Sequence, residues 1–305
     1  MPTSIRKSLF NSTNVRSIDL KQQGFRLLLG ALWQCAPGYA QRLVKKLFFS
    51  PTRPPLTNPQ KQLLAEGDAF ELRFNDKTIR YWQWGTGPAI LLIHGWNGRG
   101  VQLHRFIDPL VKSGHAVIAF DAPAHGESDG TDTSYFEFTD VIRTFLKPGN
   151  GFHITAVIGH SLGAGAIVNG LSKERASMAA VLIAPALRLK EVLYSTFDRY
   201  GIPKSLYQHM IANYERIYGY SMNRDNPVRL LPEVLSPMLI VHDLNDSMIP
   251  YMDSRSAAEN NADVRLHTTA GLGHKRILLD ETVLRKTLTY LAAHRFQPIR
   301  YLKRV

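Results

Sequence analysis

A serine stands between two glycines at Gly159-His160-Ser161-Leu162-Gly163. These residues close a run of β-formers over 154–158 and open a helical stretch that begins at Ala164. A serine hydroxyl is a weak nucleophile, so it must stand proud of the backbone where a base can reach it. A sharp strand-to-helix turn lifts it out, and neighbours without a Cβ let strand and helix close around it. The helix that follows offers unpaired N–H groups and the positive end of its dipole to an oxyanion. An ordinary turn with serine as helix cap would share the same five letters, so the surroundings of the motif decide between the two readings.

Three more loops follow strand-like runs. After the apolar run 89–93 come His94-Gly95-Trp96-Asn97-Gly98-Arg99-Gly100, a glycine-rich loop able to turn a backbone N–H toward the serine. The N–H of Trp96 and the N–H of Leu162 are assigned as the two oxyanion donors. After the run 238–241 come two acids, Asp243 and Asp246. Asp246 is chosen to orient a histidine, because it sits in the loop proper where a side chain can turn back. Asp243 reads as a loop-stabilising acid. After the run 264–267, His274 lies in a glycine loop before the last helix. The chain order Ser161, Asp246, His274 is one of several orders that reach the same nucleophile–base–orienter geometry. Of the 11 histidines, His94, His125, His160, His242 and His267 read chiefly as structural residues. His94, Gly95 and His160 are also assigned to the substrate-binding surface.

These loops need a scaffold. Short alternating strands are expected over 70–74 and 79–84, joined by a turn at Asn75-Asp76. Continuous apolar runs at 89–93, 116–120, 154–158, 179–184 and 238–241 suit strands buried on both faces. A last strand is expected over 264–267, and helices over 101–112, 135–145, 164–171, around Ala257 and over 277–293. Strands separated by helices imply parallel pairing with crossovers. The expected fold is therefore α/β, with a mostly parallel eight-stranded sheet and helices on both faces. Residues 61–186 and 237–305 are assigned to this core. Residues 187–236 break the alternation with two or three amphipathic helices and are read as a small helical cap over the site. Its aromatics, Tyr194, Phe197, Tyr200, Tyr207, Tyr214 and Tyr218, suit packing first and a moderately apolar pocket second.

The chain has 305 residues, 44% of them hydrophobic, and one cysteine, Cys35. A disulfide within the chain is thereby excluded. The net charge of +12 lies at the ends. Residues 1–60 hold nine Lys/Arg against one acid, residues 295–305 hold four against none, and the centre balances. No aromatic-basic repeat or known module at either end points to nucleic acid. Residues 1–60 read as a basic helical extension ending in an extended linker over 51–55. The uncharged run 27–41 has 15 residues and is broken by Pro37-Gly38, too short for a span of about 20. Neither a leader peptide nor lipidation at Cys35 fits the flanking residues. A cytoplasmic location is expected. The extension is expected to pack on the domain, with peripheral contact between its basic segment and a membrane as the alternative.

Taken together, the chain resembles proteins of the α/β-hydrolase fold over about residues 69–294. The resemblance is carried by His94-Gly95-Trp96, by Asp121-Ala122-Pro123-Ala124-His125-Gly126-Glu127-Ser128, by the serine turn, by His242-Asp243-Leu244-Asn245-Asp246 and by Gly273-His274. Members usually have glycine where this chain has Asp243, and often at Ala124. The resemblance implies a Ser161–His274–Asp246 mechanism on a small acyl substrate, with no metal or organic cofactor. It leaves ester, thioester, amide and carbon–carbon cleavage open. Dehalogenases and epoxide hydrolases of this fold carry aspartate at the turn, which Ser161 argues against. A hydrolase-fold scaffold without activity, at a membrane surface, is the non-enzyme alternative.

Overall fold

The computed structural model describes residues 20–294 and 300–301. The basic residues of 1–19, and all the basic residues of the C-terminal tail except Arg300, lie outside that range. Strands β1 (Asp68–Phe74) and β2 (Lys77–Trp84) form an antiparallel hairpin. Its turn places Asn75 at φ 52°, a conformation asparagine tolerates better than most side chains. Then follow β3 (Ala89–Ile93), β4 (Ala116–Phe120), β5 (Ile154–His160), the two-residue β6 (Ala176–Ser177), β7 (Ala179–Ile183), β8 (Met238–Asp243) and β9 (Val264–Thr269). The main sheet has eight strands in the order β1-β2-β4-β3-β5-β7-β8-β9, and it is parallel from β4 to β9. β6 pairs instead with β10 (Arg300–Tyr301).

The helices are α1 (Leu20–Cys35), α2 (Pro37–Phe48), α3 (Asn58–Glu66), α4 (His104–Lys112), α5 (Tyr135–Leu146), α6 (Leu162–Glu174), α7 (Leu189–Arg199), α8 (Lys204–Tyr218), α9 (Pro227–Leu230), α10 (Tyr251–Asn260), α11 (Gly273–Arg276) and α12 (Glu281–Ala293). Period-two alternation in the buried strands builds two cores. Leu91, Ile93, Ile118 and Val157 face α5 and α6. Ile90, Leu92, Val117 and Ile158 face α4 and α12. With both faces covered, the central strands read as unbroken apolar runs rather than alternating ones.

Two expected helices are divided. The stretch 101–112 begins as a 3-10 turn, Gly100–Leu103, before α4. The closing stretch 277–293 begins with the 3-10 turn Ile277–Leu279, and α12 starts afresh at Glu281. Asp280 causes the second break, because its carboxylate accepts from the N–H groups of Thr282 (2.9 Å) and Val283 (3.0 Å) as an N-cap. The boundary placed after residue 60 falls inside α3. That helix is fixed by a capping box between Thr57 and Gln60, and Trp84 Nε1 donates to the Leu63 carbonyl at 2.8 Å.

The insertion between β7 and β8 carries α7, α8, α9 and the 3-10 turn Leu231–Glu233. The N-terminal helices dock on it. Phe48 meets Phe197 edge-on at 5.2 Å, and Phe49 stacks on Tyr214 at 4.7 Å. Trp33 Nε1 donates to Ser205 Oγ at 2.8 Å, and Arg26 Nη2 donates to the Asp198 carbonyl at 2.8 Å. Phe197 and Tyr207 are buried and stacked on each other at 5.1 Å. Much of the insertion's aromatic surface is therefore spent on packing against α2 and within the insertion itself. No helix among the described residues is long and apolar enough to cross a membrane.

Candidate active site

The serine turn is held in a strained conformation. Ser161 has φ 55° and ψ −119°, a region that L residues rarely enter. Backbone hydrogen bonds pin it there: its N–H donates to Ile183 O (2.9 Å), and its carbonyl accepts from Gly165 N and Ala186 N (both 3.1 Å). The flanking glycines have steric causes. A Cβ at Gly159 would lie 2.5 Å from Ile167 Cδ1, and one at Gly163 would lie 2.3 Å from the His94 carbonyl oxygen. A Cβ at Gly95 would lie 3.0 Å from that of Ser161, so the 94–100 loop comes close to the serine.

Side chains from three strand ends join in one chain of hydrogen bonds. Ser161 Oγ lies 2.9 Å from His274 Nε2, and His274 Nδ1 lies 2.7 Å from Asp246 Oδ2. With Nδ1–H donating to the carboxylate, Nε2 is left as the acceptor for the serine proton. The Asp246 side chain is fully buried. Its other oxygen accepts from Met248 N (2.8 Å) and Ile249 N (2.9 Å). Burial works against its charge, but donors from His242, His274 and Ile249 outweigh burial and hold the carboxyl well below the usual carboxylate range.

One partner was not legible as a site residue. His242, read from sequence as structural, places Nε2 3.2 Å from Asp246 Oδ2, the oxygen that also receives His274. Its Nδ1 lies 2.6 Å from Ser254 Oγ, and both residues are buried. Ser254 thus donates to His242, which donates to Asp246. Asp243 ties the two loops of the site together. Its carboxylate accepts from Asn245 N (2.9 Å), Thr269 Oγ1 (2.8 Å) and Leu272 N (3.0 Å), the last on the segment leading to His274.

Two residues assigned to the substrate-binding surface lie behind it. His94 is fully buried with both ring nitrogens engaged: Nδ1 donates to Gly95 O (2.7 Å), and Nε2 accepts from Ala122 N (3.0 Å). His160 is 2% exposed and donates from Nε2 to the His274 carbonyl at 2.9 Å. Burial, then the neighbouring His274, pulls the His160 pKa down to about 3, so the ring is neutral. Both histidines position the backbone of the site rather than face a substrate. In the 94–100 loop, Gly95 N donates to Gln102 Oε1 (2.8 Å), Asn97 N to His125 Nε2 (3.2 Å) and Gly98 N to Gly95 O (2.9 Å). Between them, the N–H of Trp96 has no acceptor among the described residues. Leu162 is the first residue of α6, where a backbone N–H has no partner within the helix.

The segment expected as a plain linker also reaches the site. Thr52 N donates to Asn97 Oδ1 at 2.7 Å. The Arg53 guanidinium donates to four carbonyls of the loop after β4: Ala124 (3.2 Å), Gly126 (3.0 Å), Ser128 and Gly130 (both 2.9 Å). Thr52 and Arg53 together strap the 94–100 loop to the loop after β4.

A model of the alpha/beta hydrolase family matches residues 90–284, which carry every group described here except the strap. The chain belongs to this family. The hydrolase is similar in fold to Est1E of Butyrivibrio proteoclasticus, solved with ferulic acid bound, at 21% identity and TM-score 0.59, covering 73% of this chain and 100% of that one. An esterase of Pyrococcus furiosus aligns at 20% identity and TM-score 0.60, covering 81% and 97%. A putative lipase of Acinetobacter baumannii aligns at 18% identity and TM-score 0.59, covering 81% and 99%. No curated protein matches the hydrolase. Among its described residues, no three His, Cys, Asp or Glu side chains converge as a metal site.

Proposed function

We propose that the hydrolase cleaves a carboxylic ester, or a related acyl bond, through a covalent acyl-serine. The observation that carries this reading is the unbroken series Ser161 Oγ–His274–Asp246 at 2.9 and 2.7 Å. His274 Nε2 takes the proton of Ser161 as its oxygen attacks the acyl carbonyl. Charge develops on the carbonyl oxygen, and the unpaired N–H groups of Trp96 and Leu162 would hold it, aided by the dipole of α6. His274 then protonates the leaving group. Water, deprotonated by the same imidazole, attacks the acyl carbon and frees the serine. Asp246 keeps the proton on Nδ1 and stabilises the imidazolium that forms.

Ser161→Ala should lower p-nitrophenyl ester turnover by roughly 10⁴-fold or more, and a fluorophosphonate probe should label the parent chain but not the variant. Undiminished turnover in the variant would refute the assignment. A folded parent chain that takes no probe would favour a scaffold without activity. A series of esters, thioesters and aminoacyl amides, compared by kcat/KM, then separates the bond classes.

A further inference from the structure

We infer that the outer face of α1 and α2 is a docking surface for an anionic phospholipid bilayer. On α1, Gln23, Gly24, Leu27, Leu28, Ala31 and Cys35 are exposed, while Leu29 is fully buried. Leu27 is 77% exposed and Leu28 56%, which is unusual for adjacent leucines in an ordered helix. Across the single-residue connection, Tyr39 on α2 is 55% exposed, with the Arg42 guanidinium over its ring at 5.9 Å. Both helices thus expose apolar side chains, and α2 adds an aromatic-cation pair of the kind suited to a lipid–water boundary.

Charge selects the occupant. Arg42, Lys45 and Lys46 lie on α2 and, with Ser50, Thr131 and Asp132, line a cavity of about 380 Å³. Lys45 pairs with Asp132 at 3.0 Å, while neither Arg42 nor Lys46 has a carboxylate partner among the described residues. Two uncompensated cations beside a hydroxyl-bearing cavity suit a phosphate headgroup, and the leucines suit the acyl region beneath it. The sequence adds a long-range bias, since residues 1–60 carry nine Lys/Arg against one acid. The opposite face of α1 and α2 is already committed to the 187–236 insertion through Trp33, Phe48 and Phe49. A bilayer seated here would therefore hold that insertion at the lipid surface. This surface does not depend on the chemistry at Ser161.

The test is sedimentation of the full chain with sonicated vesicles of phosphatidylcholine alone, or of equal parts phosphatidylcholine and phosphatidylglycerol. The parent chain should pellet with the anionic vesicles, less so in high salt, and not with phosphatidylcholine. Arg42→Gln with Lys46→Gln should weaken binding roughly 30-fold, about fivefold per basic residue at an anionic surface. Leu27→Gln with Leu28→Gln should weaken it at least about tenfold. All four side chains are exposed or at a cavity edge, so circular dichroism should show unchanged melting. Equal pelleting of parent and both double variants would overturn the inference. So would equal binding to both vesicle types, binding of inorganic phosphate without vesicle pelleting, or a parent dimer that Leu27→Gln with Leu28→Gln dissolves while no vesicle binds.

Discussion

On Asp246, one carboxylate oxygen receives two imidazoles, and this makes His242 a positioning residue for His274. A donor to an ionised group is worth about 1.5–3 kcal/mol. His242→Phe should therefore lower kcat for ester hydrolysis by roughly tenfold to a hundredfold, with KM little changed, because no substrate contact is lost. Ser254→Ala, one step further out, should cost less. Steady-state kinetics on a single ester checks both, and a rise in KM with kcat unchanged would place His242 at the substrate instead. Ser161, Asp246 and His274 could be singled out in the sequence because each follows a strand-like run, and a parallel sheet delivers the loops after its strands to one edge. The role of His242 could not. It directly follows the run 238–241 within β8, and nothing in the pattern marks that a histidine there finds a carboxylate four positions on.

Elements are fixed at this site by close backbone approach. Gly163 has the His94 carbonyl where a methyl would go. Gly163→Ala must push β3 away from α6 and should cost about 1–3 kcal/mol in urea unfolding, together with esterase activity. Arg53→Ala removes four bonds to the loop after β4 and should cost about 2 kcal/mol, reduced from a larger sum by the exposure of the side chain. Arg53→Lys should recover little, since an ammonium cannot reproduce the planar fork. A melting temperature for Arg53→Lys equal to the parent's would show that charge alone suffices there. The strands and most helices were legible from runs and spacing. The strap was not, because an arginine in a proline-rich stretch reads as solvated, and its acceptors are backbone carbonyls some seventy residues away, which leave no trace in side-chain pattern. The break at Asp280 was not legible either, because the apolar residues on both sides of it carry helical spacing straight through 277–293.

The whole molecule is expected to be acid-labile in two stages. His94, His125 and His160 are pushed below their ordinary value mainly by burial, His160 to about 3. The unfolded chain takes up these protons near pH 6.5, and the folded chain does not. Stability from this source is complete above about pH 6.5 and drains away as the pH falls toward the folded values. Asp243 and Asp246 are also held low, with burial opposing and hydrogen bonds prevailing. Their contribution is complete above about pH 4 and is lost as the pH falls through their folded values. Thermal melts from pH 7 down to pH 4 should show a decline that starts above the carboxylate range, and His160→Gln should flatten its upper part. A melting temperature that holds constant until about pH 4 would contradict the neutral buried histidines.

The docking of α1 on the insertion also sets an order of events during synthesis. Arg26 and Trp33 find their partners, Asp198 and Ser205, 172 residues later in the chain. At about 5–20 residues per second, α1 leaves the ribosome roughly ten to thirty seconds before those partners exist. Throughout that interval Leu29, Val44 and Phe49 have nothing from the insertion to bury against. The surface between α1 and the insertion thus closes long after α1 is made, and the nascent helix must stay out of other contacts until then.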